Sequence, residues 1–156
     1  MVEDVRYLPD GTSCQFRARA SETGGAFTEL EFVVPPSEDH PPPHLHPGHE
    51  ERLTVLDGEL DILLEQEWSH LAVGETVTIP AGVSHTLANR GQSAVRFHDR
   101  HTPPDEIEAY FDEIVELLRS DSLTPDAMRA LQDRYRDTIG PGTEAPEGPH
   151  LAGAGS

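Results

Sequence analysis

The stretch His44-Leu45-His46-Pro47-Gly48-His49-Glu50-Glu51 puts three imidazoles and two carboxylates close together. His44 and His46 are two apart, so on an extended strand both side chains point to one face. Two imidazoles and a carboxylate on one face can hold a divalent cation and leave coordination positions open. Strand parity selects between the glutamates. Glu51 shares its face with Leu53 and Val55, the inward side, while Glu50 shares its face with Arg52 and Thr54. Pro47-Gly48 bends the chain, so parity cannot be counted across it from His46. A fourth candidate is His85. It follows Pro80-Ala81-Gly82 at the start of a strand, where the turn aims it back toward the same mouth. His49 is either a rim residue or a partner behind the ligands; because it flanks the bend, the rim is favoured.

The elements that must position these groups are short strands. Residues 1–25 are turn-rich, with a possible strand from Gln15 to Arg19. Phe27, Leu30, Phe32 and Val34 are interleaved with Glu29 and Glu31, near to strand alternation. Five prolines in residues 35–43 keep the chain stiff and out of a central ladder. Leu53 and Val55 alternate with Arg52 and Thr54, and Leu60, Ile62 and Leu64 resume after Asp57-Gly58. That spacing predicts a hairpin at Asp57-Gly58. Val77 and Ile79 face in on the next strand. Val95 and Phe97 share one face of the last, Arg96 and His98 the other, so His98 points outward. Glu67-Trp68-Ser69 reads as a hairpin tip. Many short strands separated by turns indicate an all-β sandwich or barrel.

The pattern changes at Thr102, expected to cap a helix with Pro103 in its first turn. Ile107, Tyr110, Phe111, Ile114, Leu117 and Leu118 keep helical spacing. Thr124-Pro125-Asp126 repeats the start signal for a second helix lined by Met128, Leu131 and Tyr135. Each amphipathic helix must bury its stripe on the barrel or on another subunit. The reading is thus a barrel over 1–101, a helical extension over 102–139, and a Gly/Pro/Ala tail over 140–156 expected to be flexible.

Composition narrows the partners. There are 29 acidic and 11 basic residues, the latter all Arg, for a net charge of −18. This disfavours nucleic acid and anionic membranes. High-salt adaptation and an Arg-favouring codon bias both account for the composition. Cys14 is alone, so no internal disulfide is expected. An acidic N-terminus without an apolar run and the lack of a 20-residue apolar stretch give the expectation of a cytoplasmic protein.

The combined spacings resemble the two-part signature of the cupin superfamily. His44, His46, Glu51 and Gly58 match the first motif, His-x-His, three or four residues, Glu, six residues, Gly. Gly74, Pro80, Gly82, His85 and Asn89 match every position of the second. One position departs: Glu38 stands where the family usually has Gly. The resemblance implies a double-stranded β-helix, or jelly-roll, barrel of two packed sheets with a C-terminal two-helix extension. It implies a metal at the barrel mouth held by His44, His46, Glu51 and His85. The chain also looks like the small single-domain cupins compared with quercetin dioxygenases. Many cupins are dimers, and an open barrel edge makes a homodimer the expected state, with the N-terminal 25 residues a candidate exchanged strand.

Three imidazoles and one carboxylate fill a tetrahedral Zn²⁺, whereas six-coordinate Fe, Mn, Ni or Co keeps two positions open. Open positions suit a small oxygen-rich molecule. The reading is a metal-dependent dioxygenase or isomerase with Glu51 also a candidate catalytic base. The alternatives are a non-catalytic module that binds a small ligand or metal, and a structural dimer with a vestigial site. No helix-turn-helix is recognised, so a nucleic-acid partner is not expected. Phe32, Leu53, Val55, Leu87 and Phe97 are the expected lining of the barrel.

Overall fold

The alternating segments pair into two antiparallel sheets in a computed structural model that describes residues 5–146. Strands β1 (Arg6–Tyr7), β2 (Ser13–Ala18), β3 (Thr28–Val34), β5 (Glu50–Asp57), β8 (Thr76–Ile79) and β10 (Val95–Thr102) form a six-stranded sheet in the order β1-β2-β3-β10-β5-β8. Strands β4 (His44–Leu45), β6 (Leu60–Leu64), β7 (Glu67–Leu71), β9 (His85–Ala88) and β11 (Gly140–Pro141) form the other, in the order β11-β4-β9-β6-β7. This is the all-β, two-sheet jelly roll with two C-terminal helices that the strand spacing and the motifs indicated.

Register explains the core. Phe97 sits opposite Phe32 on one neighbour and Val55 on the other, so the three share the inner face. Leu53, Val55, Leu60, Ile62, Val95 and Phe97 are at most 1% exposed. Phe32 and Leu87 pack on the edge of this cluster. Phe32 stacks on Phe97 with ring centroids 5.6 Å apart, an arrangement that adds to the area term. The expected lining therefore fills the barrel as a packed core.

Asp57-Gly58 does not make a hairpin. β5 lies in one sheet and β6 in the other, so the turn carries the chain between layers. Gly58 has φ +82°, and a Cβ there would stand 2.7 Å from the carbonyl oxygen of Ala94. The crossing thus needs glycine both for its backbone and for its close approach. The expected tip at Trp68 is also displaced. Leu63 pairs with Trp68, so Trp68 is inside β7 and the turn is at Glu65-Gln66, with Glu65 at φ 53°.

Thr102 does not cap a helix. It pairs with Glu50 as the last residue of β10, and Pro103, lacking an N–H, follows the ladder's end. Helix α1 (Ile107–Arg119) starts later, with Glu106 at its N-cap. Helix α2 (Pro125–Arg134) begins as its sequence indicates: Thr124 Oγ1 accepts from Ala127 N at 3.1 Å, with Pro125 in the first turn. Ile107 and Phe111 of α1 pack on Phe16 and Leu30. These are inner-face residues of β2 and β3, so α1 covers the part of the large sheet that reaches past the small one. Tyr110 and Ile114 then bury against Leu131 of α2. β2 itself pairs with β3 of the same chain.

The segment expected to be a flexible tail from residue 140 starts differently. Gly140-Pro141 is strand β11, hydrogen-bonded to β4. Gly142 N donates to the Pro43 carbonyl at 3.0 Å and Thr143 N to Ser84 Oγ at 2.9 Å. The remainder of that expectation, 147–156, lies outside the described residues. Among the described residues no helix is long and apolar enough to cross a membrane.

Candidate metal centre

Three strands converge to build the site. β4 brings His44 opposite His85 of β9. The Pro47-Gly48 bend follows His46, and Glu51 then enters on the inner face of β5, beside His101 of β10. The four residues chosen from the sequence, His44, His46, Glu51 and His85, come together: one donor atom from each lies within 4.8 Å of the others. Glu50, by contrast, is not in this group. The Pro80-Ala81-Gly82 turn is tied to the site from below, since Gly82 N donates to the His46 carbonyl at 2.9 Å.

Backbone carbonyls fix the tautomers of two imidazoles. His46 Nδ1 donates to the Thr138 carbonyl at 2.9 Å, and His85 Nδ1 to the Val83 carbonyl at 2.9 Å. Each ring therefore turns Nε2 toward Glu51 as the free donor atom. His46 Nε2 is 3.0 Å from Glu51 Oε1. His85 Nε2 is 2.9 Å from the same oxygen but out of line for a hydrogen bond, so this buried nitrogen has no aligned partner. Two Nε2 atoms aimed at one carboxylate oxygen, one of them unpaired, fit a divalent cation seated among them.

Electrostatics follows from burial. His46, Glu51 and His85 are 3%, 5% and 1% exposed. Burial, then the neighbouring His85, pushes the His44 imidazole down to about 3, which keeps it neutral, the form a metal-ligating imidazole needs. Burial also opposes charge on His85, but the Glu51 carboxylate outweighs it and raises that imidazole above its ordinary value. Burial alone would raise Glu51. His101 and the contacts from Asp99, His46 and His85 prevail and hold its carboxyl well below the usual range.

The structure adds residues that the histidine spacing did not bring in. His49 is not a rim residue: it is 2% exposed, because the bend at Pro47-Gly48 turns it under the mouth. Its Nδ1 bonds Asp105 Oδ2 at 2.7 Å, and its Nε2 meets His101 Nδ1 at 2.8 Å. His101 Nε2 in turn meets Asp99 Oδ2 at 3.0 Å. Burial, then the Glu51 charge, pushes the Asp99 carboxyl well above its usual range. The signal for Asp99 and His101 was parity: counting by twos from the inward Val95 and Phe97 reaches both. His98 lies on the outer face, where its Nε2 is 3.0 Å from Glu31 Oε1.

The fold is that of the cupins. Residues 30–100 match the family model described as Cupin domain. Its sequence is similar, 42% identical over 48 residues, to the HTH-type transcriptional regulator SutR of Escherichia coli strain K12, covering 31% of this chain and 27% of that protein. It is 33% identical over 84 residues to quercetin 2,3-dioxygenase of Bacillus subtilis strain 168, covering 54% of this chain and 25% of that one. The chain thus spans about a quarter of the length of these curated relatives. Among solved structures, KdgF from Halomonas sp. superposes with a TM-score of 0.58 at 17% identity, covering 68% of this chain and 93% of KdgF. The polyketide cyclase RemF from Streptomyces resistomycificus superposes with a TM-score of 0.53 at 24% identity, covering 65% of this chain and 72% of RemF. These two likenesses are of fold.

Proposed function

We propose that the chain is a divalent-metal cupin whose His44, His46, Glu51 and His85 hold one ion and present it to a small oxygen-rich molecule. The observation that carries this is the pair of Nε2 atoms of His46 and His85, both locked by backbone carbonyls and both within 3.0 Å of Glu51 Oε1. An Fe, Mn, Ni or Co ion held by these residues would supply Lewis acidity toward an enol or hydroxyl oxygen. The protein's own part is to keep His44 neutral, to orient His46 and His85, and to offer Glu51 as a proton acceptor beside the ion. The reaction class favoured is a dioxygenase or an isomerase; the limited similarity to a quercetin dioxygenase supports the first.

The second reading is a module that binds a ligand or metal without chemistry. The similarity to a transcriptional regulator favours it, since one barrel serves both purposes. Metal analysis of the purified wild type and of His46→Ala, followed by O₂ uptake with flavonols, catechols and diketones, separates the two. Turnover that follows metal content supports the enzyme. Metal held without turnover supports the module, and a wild type that takes up no metal sinks the enzyme and the metal-binding form of the module and favours a structural protein with a vestigial site. The homodimer stands as a proposal to be read from the mass in solution.

A further inference from the structure

Glu51 of the proposed site also belongs to a second set of donors, whose other two members that reading leaves unused. Glu51, Asp99 and His101 each offer a donor atom, all within 4.8 Å of one another and all buried. Two carboxylates and an imidazole do not converge in a dry interior without a cation or protons between them.

The hydrogen-bond chain behind His101 shows which nitrogen faces that set. Asp105, whose side chain is 28% exposed, is a carboxylate within reach of water, and it accepts from His49 Nδ1 at 2.7 Å. A neutral His49 then has only Nε2 to accept with, and that atom takes the N–H of His101 Nδ1 at 2.8 Å. His101 Nε2 is left with a lone pair, 3.0 Å from Asp99 Oδ2. A lone pair facing a carboxylate oxygen needs something positive between them. The carboxylate–imidazole backing is also how proteins orient a metal-ligating histidine. Gly48 makes room for it: a Cβ there would come within 3.1 Å of Asp105 Oδ2.

A second observation points the same way. Asp99 is 4% exposed, and its Oδ1 is buried without any hydrogen-bond partner. Glu51 Oε1 is the oxygen turned to His46 and His85, and a carboxylate has a second oxygen to offer.

We propose that Glu51, Asp99 and His101 form an inner divalent-metal site, so that Glu51 bridges two ions. The proposal rests on the outer four-residue site for the bridging role of Glu51. The donor set, two carboxylates and one imidazole, suits Mn²⁺ or Fe²⁺. Paired ions of this kind sit about 3.5–4 Å apart and clamp two oxygens of one substrate. The competing occupant is a proton shared between Asp99 and its neighbours.

The test uses the full chain, stripped with a chelator and reloaded with Mn²⁺. Metal per chain is measured by elemental analysis, with electron paramagnetic resonance of the same samples. The variants are Asp99→Asn, His101→Gln and His44→Ala, each checked for fold by circular dichroism. Two Mn²⁺ per wild-type chain, a spin-coupled spectrum, and one Mn²⁺ in Asp99→Asn or His101→Gln support the inner site. The coupled spectrum of the wild type decides even if a variant does not fold. One Mn²⁺ with an uncoupled six-line spectrum, retained in Asp99→Asn and lost in His44→Ala, overturns the inner site and leaves the outer one standing. One Mn²⁺ lost in Asp99→Asn and kept in His44→Ala supports the inner donors and sinks the outer reading. No Mn²⁺ in any sample overturns both.

Discussion

His46 Nδ1 is bound to the carbonyl oxygen of Thr138 at 2.9 Å, across 92 residues of chain. The proposed ligand and the segment that fixes its tautomer thus lie far apart in sequence. The strand that follows Thr138 lies on β4, beside the other histidine of the pair, so the C-terminal segment is part of the site's wall.

Cutting the chain after Arg134 should therefore weaken metal binding while leaving all four proposed ligands in place. Loss of an outer hydrogen bond of this type costs about 10–100-fold in affinity. Competitive titration against a chromophoric chelator reads it. Unchanged affinity in a folded truncate would show that Thr138 does not orient His46.

A side chain at residue 142 should disturb the same wall. A Cβ on Gly142 would lie 2.9 Å from the Pro43 carbonyl carbon and 3.0 Å from His44 N. Backbone atoms cannot yield as a flexible side-chain end can. Gly142→Ala should cost about 1–3 kcal/mol, the usual range for overpacking, with reduced metal content. Urea unfolding and elemental analysis measure the two effects.

Acidification should release the metal. His85 must be neutral to ligate, and in the metal-free protein Glu51 favours its charged form over the opposing effect of burial, which raises the imidazole above its ordinary value. Metal binding then expels a proton from His85, and the proton competes increasingly as pH falls through that raised value. Affinity should drop as the pH is lowered from mildly alkaline to mildly acidic, with proton release visible as a buffer-dependent heat in calorimetry. A pH-independent affinity over that interval would remove His85 from the ligand set.

Removing Ile107 should detach the helices from the sheet. It is 0% exposed and packs with Phe16 and Leu30. Ile107→Ala should destabilise by about 2–5 kcal/mol, as buried large-to-small changes do. Phe97→Ala, in the barrel core, should cost about 3–5 kcal/mol. Chemical denaturation gives both values, and a change under 1 kcal/mol at either residue would contradict its place in the packing.

Gly58→Ala should be costly for two reasons. The backbone there is left-handed, and the new Cβ would meet the Ala94 carbonyl at 2.7 Å. The loss should exceed about 1 kcal/mol, the scale of a residue forced into an incompatible conformation. Thermal melts of the wild type and the variant test it.

Local periodicity carried much of this protein. Period-two alternation marked β5, β6 and β8, and Thr124-Pro125 marked the start of α2, because those signals depend on side-chain direction and capping within a few residues. Two motifs with fixed spacing singled out His44, His46, Glu51 and His85, since a ligand must sit at one parity on a strand next to a defined turn.

Only the tertiary structure decided what crosses between elements. Asp57-Gly58 looks the same in a hairpin and in a turn between sheets, because the turn's dihedrals do not say which strand the next segment will pair with. His49 beside a bend has no parity of its own, and only the packing of Asp105 and His101 brings it inside. Thr138 and Gly140 carry no local sign of strand pairing. They reach the site because α1 buries its apolar stripe on the barrel, α2 packs on α1, and the pair delivers the following segment to β4. The sequence therefore sufficed for groups whose direction is set by near neighbours. Groups brought together by long-range burial, above all Glu51 with Asp99 and His101, became visible only once the sheets were paired.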